Sequence, residues 1–313
     1  MTTDTHAGRL GRRCLLLGVP VAVLPGFARA AAPRAVGDAG AAIEPLTPAQ
    51  AARVVSIGGA VTETLYTLGL ADRIVAVDTT SLYPPEALRD KKSVGYMRAL
   101  SAEGVLSVAP SAILLLDGAG PPPVVELLRR SGVPVVTVDG TPAPDAVAAR
   151  VRFLGRLLGT AARGDALADE IEHGFARLAV ARAAGRGPPV RAMFVLSMRG
   201  GRPLAAGRDT AADAMIGLAG GHNVMGGFAG YKAVTDEAVI EAAPQLVLTM
   251  EGGDGSGGAD AVLGAASFRA TPAGRARAVI AMDGETLLGF GPRTPAVALD
   301  LLHRFAAVAT ASR

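Results

Sequence analysis

Cysteine and histidine are scarce in this 313-residue chain, which has one cysteine, Cys14, and four histidines. A single cysteine cannot form a disulfide within the chain, so the fold must be stabilised by its hydrophobic core. Half of the residues are apolar, which is enough for two such cores. The scarcity of histidine and cysteine also argues against a carrier of free metal ions, because such sites are usually rich in both.

An apolar run long enough to span a membrane comfortably is missing near the N-terminus, where the run Cys14–Leu24 is too short. The run follows Arg12–Arg13 and precedes Ala28–Ala30, which supplies small residues around a cleavage position. That order is typical of a secretory signal peptide, and the arginine pair is typical of the twin-arginine route. We therefore predict a signal peptide over residues 1–30, cleaved near Ala30. The alternative is a retained N-terminal anchor, and the choice between export routes stays open.

The predicted mature chain has no excess of positive or negative charge. Residues 1–30 hold four of the 31 basic residues and one of the 28 acidic residues, which leaves 27 of each. A chain with balanced charge has no electrostatic reason to bind nucleic acid. Cys14 leaves with the signal peptide, and Arg13 precedes it where a lipidation motif needs a small residue. We therefore predict neither a nucleic-acid partner nor a lipid anchor.

The chain does contain an internal repeat, formed by residues 95–116 and 230–250. The matched positions are Gly95–Tyr96 with Gly230–Tyr231, Glu103 with Glu237, and Ala109–Pro110 with Ala243–Pro244. Each copy ends in an apolar run. A duplicated unit of this kind predicts two similar lobes that face one another, and the cleft between two lobes is where small molecules bind.

Alternating strand and helix signals predict the fold class of each lobe. Short apolar runs that alternate with helical spacing indicate parallel strands joined by right-handed crossovers. The strands predicted for the first lobe are Arg53–Ile57, Ile74–Val77, Ala112–Leu116 and Val135–Val138. The second lobe begins with a strand at Pro189–Leu196, followed by a helix at Thr210–Leu218, and the chain ends in a helix at Pro295–Thr310. The fold class is therefore α/β, with two similar Rossmann-like lobes and a ligand cleft between them.

Residues 145–184 carry almost no strand signal. Large apolar residues recur there at intervals of three and four, as in an amphipathic helix. Because a helix of twenty residues spans about 30 Å, we interpret the segment as a rigid spine that crosses the back of both lobes. Gly159 and Gly164 could divide it, and the alternative is two ordinary helices of the first lobe. The predicted domains are a leader at 31–50, an N-terminal lobe at 51–142, a bridging helix at 143–186 and a C-terminal lobe at 187–313.

The loop at residues 81–85 (SLYPP) holds the best candidate for ligand contact. It follows the predicted strand Ile74–Val77, and ligands of open α/β sheets sit at the carboxyl ends of strands. Two prolines stiffen the backbone directly after Tyr83. A phenol on a stiff loop suits a hard ferric ion, and tyrosine is an axial ligand of haem iron. The alternative is a tyrosine that packs at the rim of the lobe.

Three stretches of the first lobe, RVVSIGGAVTETLYTLG, VDTTSLYPPEA and VGYMRALSAEGVLSVAP, resemble the periplasmic haem-binding proteins of ABC importers. The second lobe adds PLAAGRDTAADAMIGLAGG and GYKAVTDEAVIEAAP, so the resemblance covers most of the predicted mature chain. It implies two lobes joined by one long helix, haem as the transported ligand, and Tyr83 as the axial ligand of the iron. It also implies a monomeric periplasmic protein whose partner is a permease dimer with its ATPase.

Some members of this family add a histidine near the segment that matches Val195–Arg199, where this chain has Met198. We therefore expect ligation by Tyr83 alone. His222 follows two glycines and could approach the cleft, although we interpret it as a loop residue. His173 and His303 fall in predicted helices and are interpreted as surface or packing residues.

The haem propionates need cations or hydrogen-bond donors. Arginine suits carboxylates because it donates two parallel hydrogen bonds. The candidates in second-lobe loops are Arg199, Arg208 and Lys232, and Tyr231 could stack on the ligand or donate a hydrogen bond to it.

In related binding proteins, a glutamate on each lobe pairs with arginines of the permease dimer, and Glu103 and Glu237 match that motif. Two similar lobes would present two charges to a two-fold partner. The alternative is that both residues only stabilise the helix dipole.

Two other functions remain open at this stage. A ferric-siderophore or cobalamin carrier would use the same fold with a different cleft. An exported NAD-dependent oxidoreductase is a more remote alternative, since Gly58–Gly59 and Asp78 mimic a dinucleotide fold. However, the glycine spacing of the phosphate site is incomplete, and no Ser/His/Asp set or pair of carboxylates stands at a suggestive spacing.

Overall fold

The computed structural model describes residues 44–185, 187–251 and 258–311, all within one structural unit, Ala35–Arg313. The predicted signal peptide at 1–30 and most of the predicted leader at 31–50 lie outside the described residues. Within the described ranges, no helix is both long and apolar enough to cross a bilayer.

The first lobe is built on a parallel sheet. Its strands are β1 Val54–Ile57, β2 Ile74–Val77, β3 Lys92–Ser93, β4 Ala112–Leu116 and β5 Val135–Val138. Its helices are α1 Gly59–Thr67, α2 Glu86–Asp90, α3 Ala102–Leu106 and α4 Pro122–Arg129, with a 3₁₀ turn at Ala71–Arg73. The sheet order is β3-β2-β1-β4-β5, and every pair is parallel. The central strands are apolar on both faces because helices cover both sides of such a sheet.

The second lobe repeats this plan with one difference. Its strands are β6 Arg191–Arg199, β7 Arg202–Ala206, β8 His222–Asn223, β9 Tyr231–Ala233, β10 Leu246–Met250 and β11 Val279–Met282. Its helices are α7 Ala211–Leu218, α8 Asp236–Ala242, α9 Ala259–Gly264, α10 Ala266–Arg269, α11 Pro272–Ala276, α12 Gly284–Leu288 and α13 Thr294–Ala311. The sheet order is β11-β10-β6-β7-β9, with β8 beside β6.

Strand β7 is antiparallel to both β6 and β9, so the second sheet is mixed. The tight turn between β6 and β7 consists of Gly200 and Gly201, whose φ angles of 57° and 80° are those that glycine adopts without strain. The predicted strand Pro189–Leu196 is therefore longer and continues into a hairpin, which the sequence analysis did not anticipate.

The two copies of the internal repeat adopt the same local structure. Ser101 and Thr235 cap helices α3 and α8 by accepting hydrogen bonds from backbone N–H groups three residues later. Ala109 and Ala243 both have positive φ, 47° and 41°, just before the matched prolines. Left-handed backbone is uncommon for alanine. Its recurrence at matched positions supports a duplicated unit.

The segment between the lobes consists of two helices rather than one. Helix α5 spans Pro144–Leu157 and α6 spans Ala161–Ala184, and Gly159 with φ 74° lies between them. The 24 residues of α6 make it the long bridging helix, about 36 Å at 1.5 Å per residue. The two helices approach closely at Gly155 and Gly164, where the backbones are nearly in contact.

Both helices of the spine contribute to the cores of both lobes. Leu154 and Leu157 of α5 pack with Val54 of β1 in the first lobe. Val151 of α5 and Ile171 of α6 join the second-lobe core, whose other members include Phe194 and Leu301. The spine is therefore held by apolar packing at both ends, which fits the predicted fold class of two α/β lobes joined by a long helix.

A buried arginine on the spine also joins the lobes. Arg150 is 3% exposed and donates hydrogen bonds to three carbonyl oxygens, those of Asp139 (2.5 Å), Thr141 (3.2 Å) and Phe290 (2.7 Å). The first two lie at the end of the first lobe and the third lies in the second. Burial lowers the pKa of Arg150 to about 10, while Asp139 opposes that change.

The contact between α5 and α6 should not tolerate a side chain at Gly155. A Cβ atom there would lie 2.8 Å from the Cα atom of Gly164, so Gly155→Ala should lower the free energy of unfolding by about 1–3 kcal/mol. The control is Gly217→Ala on the exposed face of α7, where a Cβ atom meets nothing within 4 Å. Urea denaturation should find the control unchanged or more stable by up to about 1 kcal/mol. Equal stabilities of the two variants would contradict this packing.

Candidate functional site

The loop that carries Tyr83 is fixed at its base by a buried carboxylate. Asp78 follows β2, is fully buried, and accepts hydrogen bonds from the backbone N–H of Gly58 (2.7 Å) and of Thr80 (2.9 Å). It also accepts hydrogen bonds from the hydroxyl groups of Thr80 (2.7 Å) and Ser81 (3.1 Å). The acid that could have bound a ribose is therefore satisfied within the protein, where it ties the loop to the start of α1.

Tyr83 itself is held from the second lobe at both its backbone and its ring. Its backbone N–H donates a 2.6 Å hydrogen bond to Oε2 of Glu285, which lies on α12. The guanidinium carbon of Arg293 lies 3.4 Å from the centroid of the phenol ring, a close cation–π contact. The side chain nevertheless remains 39% exposed. Tyr83 is thus a fixed residue that a ligand can still reach.

Two carboxylates and one arginine form a polar cluster between the lobes, which we call the interlobe cluster: Glu63, Glu285 and Arg293. Glu63 lies on α1 and is 3% exposed, and Glu285 is 7% exposed. Arg293 donates its backbone N–H to Glu63 Oε1 (2.9 Å), and its Nη2 donates to Glu63 Oε2 (3.3 Å). Its Nε lies 3.2 Å from Oε1. A buried carboxylate requires such a partner, and here the partner comes from the other lobe.

Each carboxylate of the interlobe cluster sits against a glycine of the opposite lobe. A Cβ atom at Gly59 would lie 2.6 Å from the carboxyl carbon of Glu285, and one at Gly291 would lie 2.5 Å from Oε2 of Glu63. Neither position has room for a side chain. These two glycines therefore allow the lobes to approach closely enough for the interlobe cluster to form.

Burial raises the pKa of Glu285 to about 8, and the neighbouring charge of Glu63 adds to this effect. Hydrogen bonds from the backbone of Tyr83 and Leu82 and the charge of Arg293 oppose it. Within the described residues, Glu285 Oε1 is buried without a hydrogen-bond partner. The raised pKa favours the neutral form of Glu285, and Glu63 forms the ion pair with Arg293.

Two partly exposed tyrosines, Tyr96 and Tyr231, occupy matched positions of the repeat. Tyr96 of the first lobe is 48% exposed, and Tyr231 of the second is 36% exposed. Partial burial raises the pKa of Tyr231, the nearby Arg98 lowers it, and Tyr96 raises it again. Tyr231 therefore lies within electrostatic range of two residues of the first lobe. Its ring also packs edge-on against Phe194, with 6.5 Å between the centroids.

The other predicted ligand residues, Lys232, Arg208 and Arg199, make no contact with Tyr83 among those described. Lys232 neighbours Tyr231 on β9, and its Nζ lies 6.0 Å from the ring centroid of Phe228. Arg208 is exposed and lies beside Asp209 (3.7 Å) and the carbonyl of Gly226 (3.4 Å). Arg199 ends β6, but its side chain lies outside the described residues. These positions stay candidates for propionate contact.

The three histidines that the structure describes are all exposed. His222 is exposed on the short strand β8, and His173 and His303 are exposed on α6 and α13. Met198, at the position where some relatives have histidine, packs against the core of the second lobe. Over the described ranges, no group of three histidine, cysteine, aspartate or glutamate residues could hold a metal ion.

Glu103 and Glu237 are both exposed in the first turns of α3 and α8. The hydrogen bond that Glu237 receives from its own backbone N–H lowers its pKa, and the Thr235 side chain contributes further. Two surface depressions, of about 480 and 570 Å³, lie near the two ends of α6 and contain none of the predicted site residues.

Four residues of this site were missed in the sequence analysis: Glu63, Arg98, Glu285 and Arg293. Glu63 is the one charged residue of α1, and Arg293 directly follows the stretch GFGP, the four residues of which separate it from the helix that carries Glu285. A single charge in a buried helix is a signal for a buried partner. However, 222 positions separate Glu63 from Glu285, so their spacing could not reveal the pair.

A sequence profile described as periplasmic binding protein matches residues 54–286. The chain belongs to this family. The match runs from β1 into α12, so it covers the Tyr83 loop and both copies of the repeat.

Solved structures of the same fold are also similar. The periplasmic heme-binding protein BhuT, in complex with two hemes, is 41% identical with a TM-score of 0.77, and the match covers 82% of this chain and 98% of that one. The periplasmic heme-binding protein RhuT from Roseiflexus sp. RS-1, in apo form, is 37% identical with a TM-score of 0.78 and the same coverage.

A curated relative, the vitamin B12-binding protein of Vibrio cholerae, is 27% identical over 205 residues, which are 65% of this chain and 72% of that protein. The chain spans 64 to 72% of the length of the first curated relatives that it matches. These family members and similar structures are transport proteins rather than enzymes.

The raised pKa of Glu285 predicts a loss of stability as the pH rises from about 4.5 to about 8. A glutamate whose pKa rises from 4.5 to about 8 on folding stabilises the fold fully below pH 4.5, and this contribution is lost as the pH rises through 8. Glu285→Gln cannot titrate. The variant should therefore lose less unfolding free energy between pH 5 and 9, by a few kcal/mol at most. The control Glu170→Gln, on the exposed side of α6, should follow the unmodified protein. Parallel curves for Glu285→Gln and the unmodified protein would contradict the assignment.

Proposed function

We propose that this protein captures haem between its two lobes and delivers it to an ABC permease. Tyr83 carries the proposal: its phenol is exposed, its loop is fixed by Asp78, and both its ring and its backbone are held by the opposite lobe. A phenolate oxygen is a hard donor that suits ferric iron, and tyrosine serves as a haem ligand. Similarity to BhuT and RhuT along nearly their whole length supports haem as the cargo.

Ligation by Tyr83 alone fits the residues around it. No histidine of the described ranges shares a hydrogen bond or an ion pair with Tyr83 or the interlobe cluster, and Met198 packs against the core of the second lobe. When the phenol binds ferric iron, its O–H bond breaks, an iron–oxygen bond forms, and the proton passes to solvent. The iron stays ferric. The protein contributes position, an oxygen donor and apolar contact with the porphyrin.

The exposed tyrosines at matched positions of the repeat suit a large flat ligand. Tyr96 and Tyr231 offer ring surface from the two lobes, and apolar burial contributes about 25 cal/mol for each Å² removed from water. Arg98, beside Tyr231, joins Arg199, Arg208 and Lys232 as a candidate partner of the propionates. Charge-assisted hydrogen bonds from arginine would orient the ring edge.

Delivery would use the exposed glutamates of the repeat. Glu103 and Glu237 occupy matched helix positions on the two lobes, so they would present equivalent charges to a two-fold permease dimer that works with its ATPase. The same proposal includes export to the periplasm as a monomer, with cleavage of the signal peptide near Ala30.

Cobalamin is the second candidate cargo, supported by 27% identity to the vitamin B12-binding protein of Vibrio cholerae. Ferric siderophores would fit the same fold. Haem is favoured over both because the exposed phenol of Tyr83 supplies an iron donor and the exposed rings of Tyr96 and Tyr231 supply surface for a porphyrin.

A hemin titration followed by absorbance tests the cargo. The mature protein should give a ferric high-spin spectrum with charge-transfer bands, and Tyr83→Phe should abolish those bands and weaken binding tenfold or more, about 1.4 kcal/mol. Tyr66→Phe, in α1, is the matched control and should bind as the unmodified protein does. Iron-free protoporphyrin should bind more weakly than hemin to the unmodified protein. Binding of cobalamin or iron-free porphyrin without binding of hemin would sink the proposal, and an unchanged spectrum in Tyr83→Phe would assign the iron to another residue.

A transport assay tests the docking role of the glutamates. Glu103→Gln combined with Glu237→Gln should reduce hemin uptake at least tenfold in cells that depend on this protein, because both charges that orient the complex are lost. Hemin affinity in vitro should stay the same, and Glu170→Gln should leave uptake unchanged. If the double variant loses hemin affinity instead, the two glutamates are not docking residues.

A further inference from the structure

The interlobe cluster contacts Tyr83, the proposed iron ligand. Binding of haem by an exposed phenol does not by itself require this contact. Glu63 and Glu285 are buried, and both reach across the boundary between the lobes. Buried ionisable groups are costly, so a cluster that serves only to join the lobes could be replaced by apolar packing. Its contact with Tyr83 points to a further role, which rests on the proposed function.

A tyrosine that binds iron must present its oxygen in one orientation. A side chain that is 39% exposed on a loop has little packing to choose that orientation for it. The contacts around Tyr83 supply the missing restraint. The planar guanidinium of Arg293 covers one face of the ring at 3.4 Å, and the backbone is held by Glu285.

Arg293 is itself held by Glu63 and Thr286. Glu63 accepts hydrogen bonds from its backbone N–H and from Nη2 and forms an ion pair with the guanidinium, and Thr286 Oγ1 accepts a 3.4 Å hydrogen bond from Nη1. A guanidinium bound on several sides loses the freedom of an ordinary surface arginine. Its plane then serves as a fixed support for the ring. Glu63, although it does not touch Tyr83 in these contacts, sets the position of that support.

The charge of Arg293 is paired within the cluster, because its Nε lies 3.2 Å from Oε1 of Glu63. The contribution of Arg293 is therefore the position of the ring rather than a strong local field. A lysine at position 293 would keep the charge but lose the plane that stacks on the ring.

We propose that Arg293, anchored by Glu63, is a positioning residue for iron ligation: it holds the ring of Tyr83 from the opposite lobe. The axial ligand is then complete only when both lobes are in the arrangement of this structure. The strength of iron ligation then depends on the contacts between the lobes as well as on the conformation of the Tyr83 loop.

The test compares Arg293→Lys and Arg293→Gln in the full mature protein loaded with hemin. Resonance Raman spectroscopy measures the iron–phenolate signature, and transfer of hemin to apomyoglobin measures release. Both variants should show a mixture of ligated and unligated iron and should release hemin about tenfold faster, because the planar contact is lost in each. Glu63→Gln keeps an acceptor for the backbone N–H of Arg293 and should fall between the unmodified protein and Arg293→Gln.

The matched control is Arg150→Lys, which weakens another contact between the lobes but does not touch Tyr83. It should lower thermal stability and leave the iron–phenolate signature unchanged. If Arg150→Lys changes the signature as Arg293→Gln does, the effect is general loosening and the proposal is wrong. The proposal is also wrong if Arg293→Lys and Arg293→Gln keep the unmodified spectrum and release rate.

Failure of the two proposals can be distinguished. An unmodified protein without an iron–phenolate signature would overturn the proposed function and this inference with it. An unmodified protein with the signature, retained in both Arg293 variants, would overturn only the role of Arg293.

Discussion

The pairing of Glu63 with Arg293 across the lobe boundary is the interaction on which the rest of the site depends. Glu63 is 3% exposed, and a carboxylate so deeply buried without a partner would destabilise the protein by several kcal/mol. Its partner comes from the other lobe, so the pair exists only when the lobes are together. The same arginine reaches Tyr83, and through it the boundary between the lobes becomes part of the site.

Close approach at this boundary depends on residues that lack side chains. Gly59 leaves space for Glu285, and Gly291 leaves space for Glu63, so each lobe accommodates a carboxylate of the other. Arg150 adds a third contact by binding carbonyl oxygens on both sides. Together with the packing of α5 and α6 against both cores, these contacts favour a single arrangement of the lobes.

The duplicated unit explains both the likeness and the difference of the lobes. Matched helix caps and matched left-handed alanines show that the two copies fold alike, and each copy places an exposed glutamate in the first turn of a helix. The sheets differ because the turn at Gly200 and Gly201 reverses the chain, so that β6 and β7 of the second lobe form an antiparallel hairpin. The hairpin adds β7 beside β6 and β9 beyond it, and β9 carries Tyr231 and Lys232. The two lobes therefore share one framework but differ in the strands and side chains that the hairpin adds to the second lobe.

The sequence alone determined the two α/β lobes, the helical spine and the Tyr83 loop, because short apolar runs, helical periodicity and a stiff loop after a strand are local patterns. Only the tertiary structure decided the division of the spine at Gly159, the antiparallel hairpin and the interlobe cluster. Glu63 lies more than 200 positions before Glu285 and Arg293, and nothing in the sequence near any of the three residues indicates which charge it will pair with. A buried pair is defined by the space that two surfaces leave between them, and that space exists only after both lobes have folded and met.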